Sequence, residues 1–149
     1  MEKTKTNRGV SIYCDGCFDL VHLGHYNAIR QAAQLGNYLV VGVAADSEIL
    51  ANKGPSILNV HERAEIIKHC KFVDEVQLDI PYTPTLETLK GFGCDFYAHG
   101  DDPAIDCNGV DVTTVFRENN CYKEFKRTEG VSTTDTTGKL LALADYDVN

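Results

Sequence analysis

The sequence predicts an α/β protein built on a doubly wound parallel sheet. Three observations predict it. Runs rich in β-branched and aromatic residues alternate with runs of helical period from Ser11 to the last helix-like stretch. Tyr38-Leu-Val-Val-Gly-Val-Ala-Ala45 is apolar without alternation, as suits a strand buried on both faces. Between Cys14 and His25 the first strand-like run passes through Gly16 and Gly24 into a helical pattern. That strand, turn and helix start is where such sheets hold ligands.

Residues 1–9 read as a disordered polar lead, and residues 10–149 as one domain. Ser11–Asp15 reads as the first strand. His25–Leu35 reads as a helix, with Ala28, Ile29, Ala32, Ala33 and Leu35 as its apolar stripe and Gly36 as its stop. Tyr38–Ala45 is the second strand, followed by a polar loop carrying Lys53. Asn59–Cys70 reads as a helix with Asn59 as its cap. Asp74–Asp79 reads as a strand, Thr85–Phe92 as a helix, and Cys94–His99 as a strand. Val110–Asn119 follows as a helix and Lys123–Lys126 as a short strand. Thr133–Ala144 closes the pattern as a helix capped by Ser132 or Thr133.

At 149 residues the chain can bury a full core without staples. Its net charge of −8 argues against a nucleic-acid-binding face but leaves a small phosphate ligand open. No apolar run is long enough to span a bilayer, and the polar start is not a signal peptide, so the expected compartment is the cytoplasm. Six scattered cysteines include one CxxC, Cys14 and Cys17, with no second pair to complete a metal site. They read as reduced thiols.

Four stretches carry chemistry. His22 and His25 stand three apart at a helix start, where free N–H groups and the positive helix end favour phosphate. Their imidazoles add donors that can become cationic near neutral pH, which points to chemistry on a phosphate. Arg127-Thr-Glu-Gly-Val-Ser-Thr-Thr-Asp135 joins a guanidinium fork to hydroxyls before a helix, a second anion cradle; an ordinary helix cap is the plainer alternative. Lys53-Gly-Pro is either a solvated lysine or a mobile cation that closes on reacting phosphates. His99-Gly-Asp-Asp102 lies at a strand end, where carboxylates serve an ammonium group or a nucleotide and its metal. One of these aspartates serves equally well as a loop cap.

Gly16-Cys-Phe-Asp-Leu-Val-His-Leu-Gly-His25 resembles the GxFDxxHxGH form of the HxGH motif, found in the nucleotidyltransferases and typical of the cytidylyltransferases. Arg127–Thr134 resembles their RTxGxSTT motif, and Glu62–Val76 resembles their ERxxxxxxxxxVDEV segment. The resemblance covers about Ser11 to Leu143. It implies a Rossmann-like sheet of the nucleotidyltransferase type. It further implies that His22 and His25 meet the triphosphate and transition state, that Lys53 bridges the phosphates of both substrates, and that Arg127 holds CTP. Asp15, Gly16, Cys17, Phe18, His99, Asp101, Lys126, Thr128, Val131, Ser132 and Thr133 are implied at the nucleotide. Tyr82, Asp101 and Asp102 are implied with Lys53 at the second substrate. Arg63 is implied to support the fold, in a segment that relatives use at a dimer interface.

Cys94–Asp102 with its glycine after the histidine, Cys107–Asp111 and Cys121–Asp135 resemble the phosphoethanolamine branch, while Asp145–Val148 resembles the phosphocholine branch. The expected reaction moves CMP from CTP to phosphoethanolamine in phosphatidylethanolamine synthesis. Phosphocholine, then glycerol 3-phosphate, then a silent nucleotide-binding domain are the alternatives. Mg²⁺ is expected with CTP rather than in a protein cage. The expected assembly is a homodimer, or a tandem-domain pseudo-dimer if this is the first domain of a longer chain.

Overall fold

A computed structural model describes residues 8–146. Its elements run β1 Ser11–Gly16, α1 Leu23–Gln34, β2 Tyr38–Ala44, α2 Asp46–Asn52, α3 Val60–Lys68, β3 Glu75–Ile80, α4 Leu86–Gly91, β4 Phe96–Gly100, α5 Thr114–Glu118, β5 Tyr122–Phe125 and α6 Thr133–Tyr146. The strands form one parallel sheet in the order β3-β2-β1-β4-β5. The expected doubly wound fold is present.

Alternation along the central strands divides the core. Ile12, Cys14, Leu39, Val41 and Val43 face α1 and α3, where Ile29, Ala32, Val60, Ala64 and Ile67 meet them. Tyr13, Val40 and Tyr97 face the other way, onto Leu89 and Phe116 of α4 and α5. The strand order reverses at β1, which pairs with β2 on one side and β4 on the other. A crevice therefore opens beyond their carboxyl ends.

Several expected boundaries move. α1 begins at Leu23 rather than His25, because His22 takes the cap position. The segment expected as a polar loop holds a short helix, α2, whose seven residues are too few to show a period. The expected helix over Val110–Asn119 shrinks to α5. Residues before it instead fold back as a small hairpin, with a bridge from Ile105 to Asp111. Asp111 stops that hairpin by accepting bonds from the N–H and hydroxyl of Thr113, each under 3.0 Å. Residues 1–7 of the expected lead lie outside the described residues, but Arg8 belongs to the fold. It pairs with Glu75 at 3.1 Å and lies over the Tyr38 ring.

Candidate active site

The crevice holds two chambers. The first, about 590 Å³, lies between the start of α1 and the start of α6. His22, His25, Arg127, Thr128, Val131 and Ser132 line it. The second, about 360 Å³, lies towards the end of β3 and the hairpin after β4, with Tyr82 in its wall. Asp15, Gly16, Cys17, Lys53, His99 and Asp102 line both. Two small ligands would meet at that shared wall.

The two histidines form a reciprocal cap. His22 Nδ1 accepts from the Gly24 N–H at 3.0 Å, and the His22 N–H donates to His25 Nδ1 at 3.1 Å. An accepting Nδ1 carries no proton, so each neutral ring holds its proton on Nε2. The free helix-end N–H groups expected from sequence are thus partly consumed, and two imidazole N–H donors replace them. Burial, His22 and Lys53 hold His25 down at about 4, and burial also lowers His22. Imidazoles at these positions could become cationic near neutral pH; the downward shifts favour neutral rings, each a donor through Nε2, in the free protein. Gly24 is required here, since a Cβ would lie 2.8 Å from His22 Cε1. Phe18, with φ +53°, sits in the strained turn before the helix, its ring centroid 5.7 Å from that of His25.

Lys53 is placed by Arg63. The Arg63 side chain is 0% exposed. It donates to the carbonyls of Cys17 at 2.6 Å, Ala44 at 2.8 Å and Leu58 at 3.0 Å, and to Asp46 at 2.7 Å. One guanidinium therefore ties the turn after β1, the end of β2, the start of α2 and the chain entering α3. The bond to Arg63 holds the Asp46 carboxyl below its usual range. Asp19 adds a second clasp by accepting from the N–H groups of Ile57 and Leu58. Lys53 ends α2, exposed, with Nζ 6.0 Å from the Tyr82 ring. The fold-supporting role implied for Arg63 is visible.

At the end of β1, Asp15 accepts from the Tyr97 hydroxyl at 2.7 Å. Burial pushes its carboxyl up to about 6, against the pull of that bond and of His99. His99 Nδ1 lies 2.8 Å from the Gly100 carbonyl and donates to it, so in the neutral ring Nε2 is an acceptor. His99 thus offers the opposite polarity to His22 and His25. The neighbouring aspartates separate. Asp102 lines both chambers, whereas Asp101 lines neither and accepts from the Arg127 N–H at 2.9 Å, the loop-cap role.

That tether helps hold the loop into α6. The Asn27 amide donates to Thr128 Oγ1 at 3.1 Å, and Gln31 donates to the Lys126 carbonyl. Lys126 is exposed and lines neither chamber. Ser132 caps α6 by accepting from the Asp135 N–H at 3.0 Å, which settles the choice between Ser132 and Thr133. The side chain of Thr133 lies outside the described residues, and Thr134 lines the chamber. The Arg127 guanidinium bonds to no described residue, which leaves its fork for an anion.

Sequence reasoning missed Tyr97, which lines the second chamber and donates to Asp15. Strand parity could have found Tyr97, which shares a face with His99 two residues on. No group of three or more His, Cys, Asp or Glu among the described residues could hold a metal ion. The first chamber offers cations and N–H donors, which suit phosphate oxygens. All six cysteines are free, and burial pushes the Cys14 and Cys17 thiols up, away from the reactive thiolate.

The cytidylyltransferase-like family profile matches residues 13–138. An ethanolamine-phosphate cytidylyltransferase of Dictyostelium discoideum is 46% identical over 141 residues, covering 95% of this chain and 39% of that protein. Its Arabidopsis thaliana counterpart is 46% identical, over 92% of this chain and 34% of that one. Choline-phosphate cytidylyltransferase A of Homo sapiens is 40% identical, over 97% of this chain and 40% of that one. The chain therefore spans only about a third to two fifths of the length of these relatives. A lipopolysaccharide core biosynthesis protein from Thermoplasma volcanium GSS1 shares the fold, with a TM-score of 0.67 at 23% identity over 81% of this chain and 99% of that one.

Proposed function

The chain belongs to the cytidylyltransferase-like family, and on that premise we propose that it transfers CMP from CTP to phosphoethanolamine, giving CDP-ethanolamine and pyrophosphate. A phosphate oxygen of phosphoethanolamine attacks the α-phosphorus of CTP in line. The new P–O bond forms as the bond to the β-phosphate oxygen breaks, and pyrophosphate leaves with the electron pair. Such a step needs positioning and charge stabilisation more than covalent help.

The observation that carries this reading is the pair of chambers joined at a wall containing Lys53. CTP takes the first chamber. The Nε2–H groups of His22 and His25 donate to its phosphates, and Arg127 holds it by its fork. Asp15, Gly16, Cys17 and Phe18 line the chamber beside His99, Thr128, Val131 and Ser132. Phosphoethanolamine takes the second, with Tyr82 and Asp102 in its wall. Lys53 meets both phosphates where the chambers join. Mg²⁺ comes bound to CTP and neutralises charge on the triphosphate. The greater identity to the ethanolamine relatives than to the choline relatives supports the acceptor. The product is then the activated headgroup for phosphatidylethanolamine synthesis. The six free cysteines suit a cytoplasmic setting. Among the described residues no helix is long and apolar enough to cross a membrane. The assembly is proposed as a homodimer or tandem-domain pseudo-dimer, and a clean monomeric mass at working concentration would refute the homodimer.

The test is product formation from CTP and Mg²⁺ with phosphoethanolamine, phosphocholine or glycerol 3-phosphate. Preference for phosphoethanolamine is expected, and preference for phosphocholine overturns the acceptor. His22→Ala should lower kcat by about 10²–10³-fold, the usual loss for one donor to developing charge. Near-full turnover by that variant would sink the mechanism.

A further inference from the structure

We propose that Asn27 and Gln31 are positioning residues for the nucleotide, two amides on one face of α1 that hold the loop carrying Arg127 at a fixed distance from His22 and His25. This inference rests on the transferase reading above, and within it on CTP taking the first chamber. A triphosphate gripped from both sides needs the imidazole donors and the Arg127 fork at a set separation. These groups come from opposite halves of the sheet. The histidines stand at the start of α1, and Arg127 stands between β5 and α6. The sheet alone fixes Arg127 poorly. β5 is a four-residue edge strand, paired with β4, and it ends at Phe125. Gly130, at φ +76°, bends the chain before α6 begins at Thr133.

Side chains do what the strand does not. Asn27 and Gln31 are four residues apart, so they share a face of α1. Asn27 Nδ2 donates to Thr128 Oγ1 at 3.1 Å, and Gln31 Nε2 donates to the Lys126 carbonyl at 2.8 Å. They therefore grip the residues on either side of Arg127. Asp101 takes the N–H of Arg127 itself at 2.9 Å. Residues 126–128 are thus anchored one by one, while the Arg127 guanidinium keeps its donors for a ligand. Neither amide lines either chamber, so each acts on a ligand only through what it holds. Their chemistry suits the task. An amide is uncharged and ties the loop without pairing with Arg127. A carboxylate in either place would compete with the ligand for the guanidinium fork. A loop fixed in advance also spares CTP the entropy of ordering it.

The experiment is a double-mutant cycle on Mg–CTP affinity, read by calorimetric titration, with product formation followed alongside. Asn27→Ala together with Gln31→Ala removes both grips and alters no chamber wall. The Kd for Mg–CTP should rise about tenfold, the upper end for a neutral hydrogen bond. The KM for phosphoethanolamine should stay within about twofold of wild type. The same two changes made in Arg127→Ala should raise that variant's Kd by less than about twofold, because the grips have no fork left to place. A general defect in α1 would weaken CTP equally in both backgrounds, and that outcome overturns the proposal. So does an unchanged Kd when both amides are gone, which leaves the transferase reading standing. Where the paired change unfolds the protein, each single change keeps one grip and carries the same comparison. Wild-type enzyme that binds Mg–CTP but forms no product with any acceptor overturns the transferase reading alone. Wild type that does not bind Mg–CTP overturns both.

Discussion

Two side chains in the crevice pull stability in opposite directions with pH. Burial raises Asp15 to about 6, so between its unfolded value near 4 and that value the folded state holds more protons. Its contribution to stability therefore declines as pH rises through that window. His25 is held at about 4 against an unfolded value near 6.5, so there the unfolded state holds more protons. Its contribution is present above about 6.5 and is lost as pH falls towards 4. The windows overlap and the signs oppose, so the site's net effect on stability between pH 4 and 6.5 is small. Removing one partner exposes the other. Asp15→Asn should lose more stability than wild type on going from pH 7 to 5, and His25→Gln should lose less. Urea unfolding at both pH values checks this, and parallel shifts in the two variants would refute it. The histidine spacing was legible in sequence because three residues separate an N-cap from its N3 partner. The tautomer was not, because it depends on which backbone N–H each ring meets.

Short elements were the least legible and bear most on the site. α2 has too few residues to display an apolar stripe and no side-chain cap at Ala45. Tertiary contact holds it, through Asp46 and the buried guanidinium of Arg63. The hairpin before α5 is likewise decided by Asp106, Gly109 and Asp111 rather than by periodicity. By contrast α1, β2 and α3 carry long apolar patterns, and each lies within a few residues of its expected span. Arg63→Lys tests the tertiary origin of α2. One ammonium has three N–H donors and cannot serve four acceptors in four directions, so at least one buried acceptor loses its partner. Stability should fall by about 2–4 kcal/mol, as for unsatisfied buried polar groups. kcat should fall as well, because Lys53 rides at the end of the loosened helix. Lys53→Ala should lower kcat with unfolding free energy within about 0.5 kcal/mol of wild type, since Lys53 is a surface side chain. Full activity in a destabilised Arg63→Lys enzyme would show that α2 places nothing.

At the scale of the molecule, the site joins two halves of the sheet. β1, α1 and α2 supply the histidines, the turn after β1 and Lys53, while β4, β5 and the start of α6 supply His99, Asp102, Arg127 and Ser132. Alternating patterns were enough to foresee a parallel sheet with its crevice after β1. They could not reveal that the crevice divides, because chamber walls come from loops whose side chains have no period. Direct contacts bridge the halves across the crevice mouth. Asn27 to Thr128 and Gln31 to Lys126 are two of them, both from α1 to the loop before α6. A triphosphate between the two helix starts would add several charged bridges, and binding the native state alone stabilises it by mass action. Mg–CTP at about a hundred times its Kd should add about 2.7 kcal/mol, which raises Tm by roughly 5–10 °C in a domain of this size. Arg127→Ala should abolish most of that shift while leaving the ligand-free Tm within about 2 °C, since its guanidinium bonds to no described residue. A shift of equal size in Arg127→Ala would mean that the loop before α6 does not hold the nucleotide, and that the first chamber closes on its ligand from one half of the sheet only.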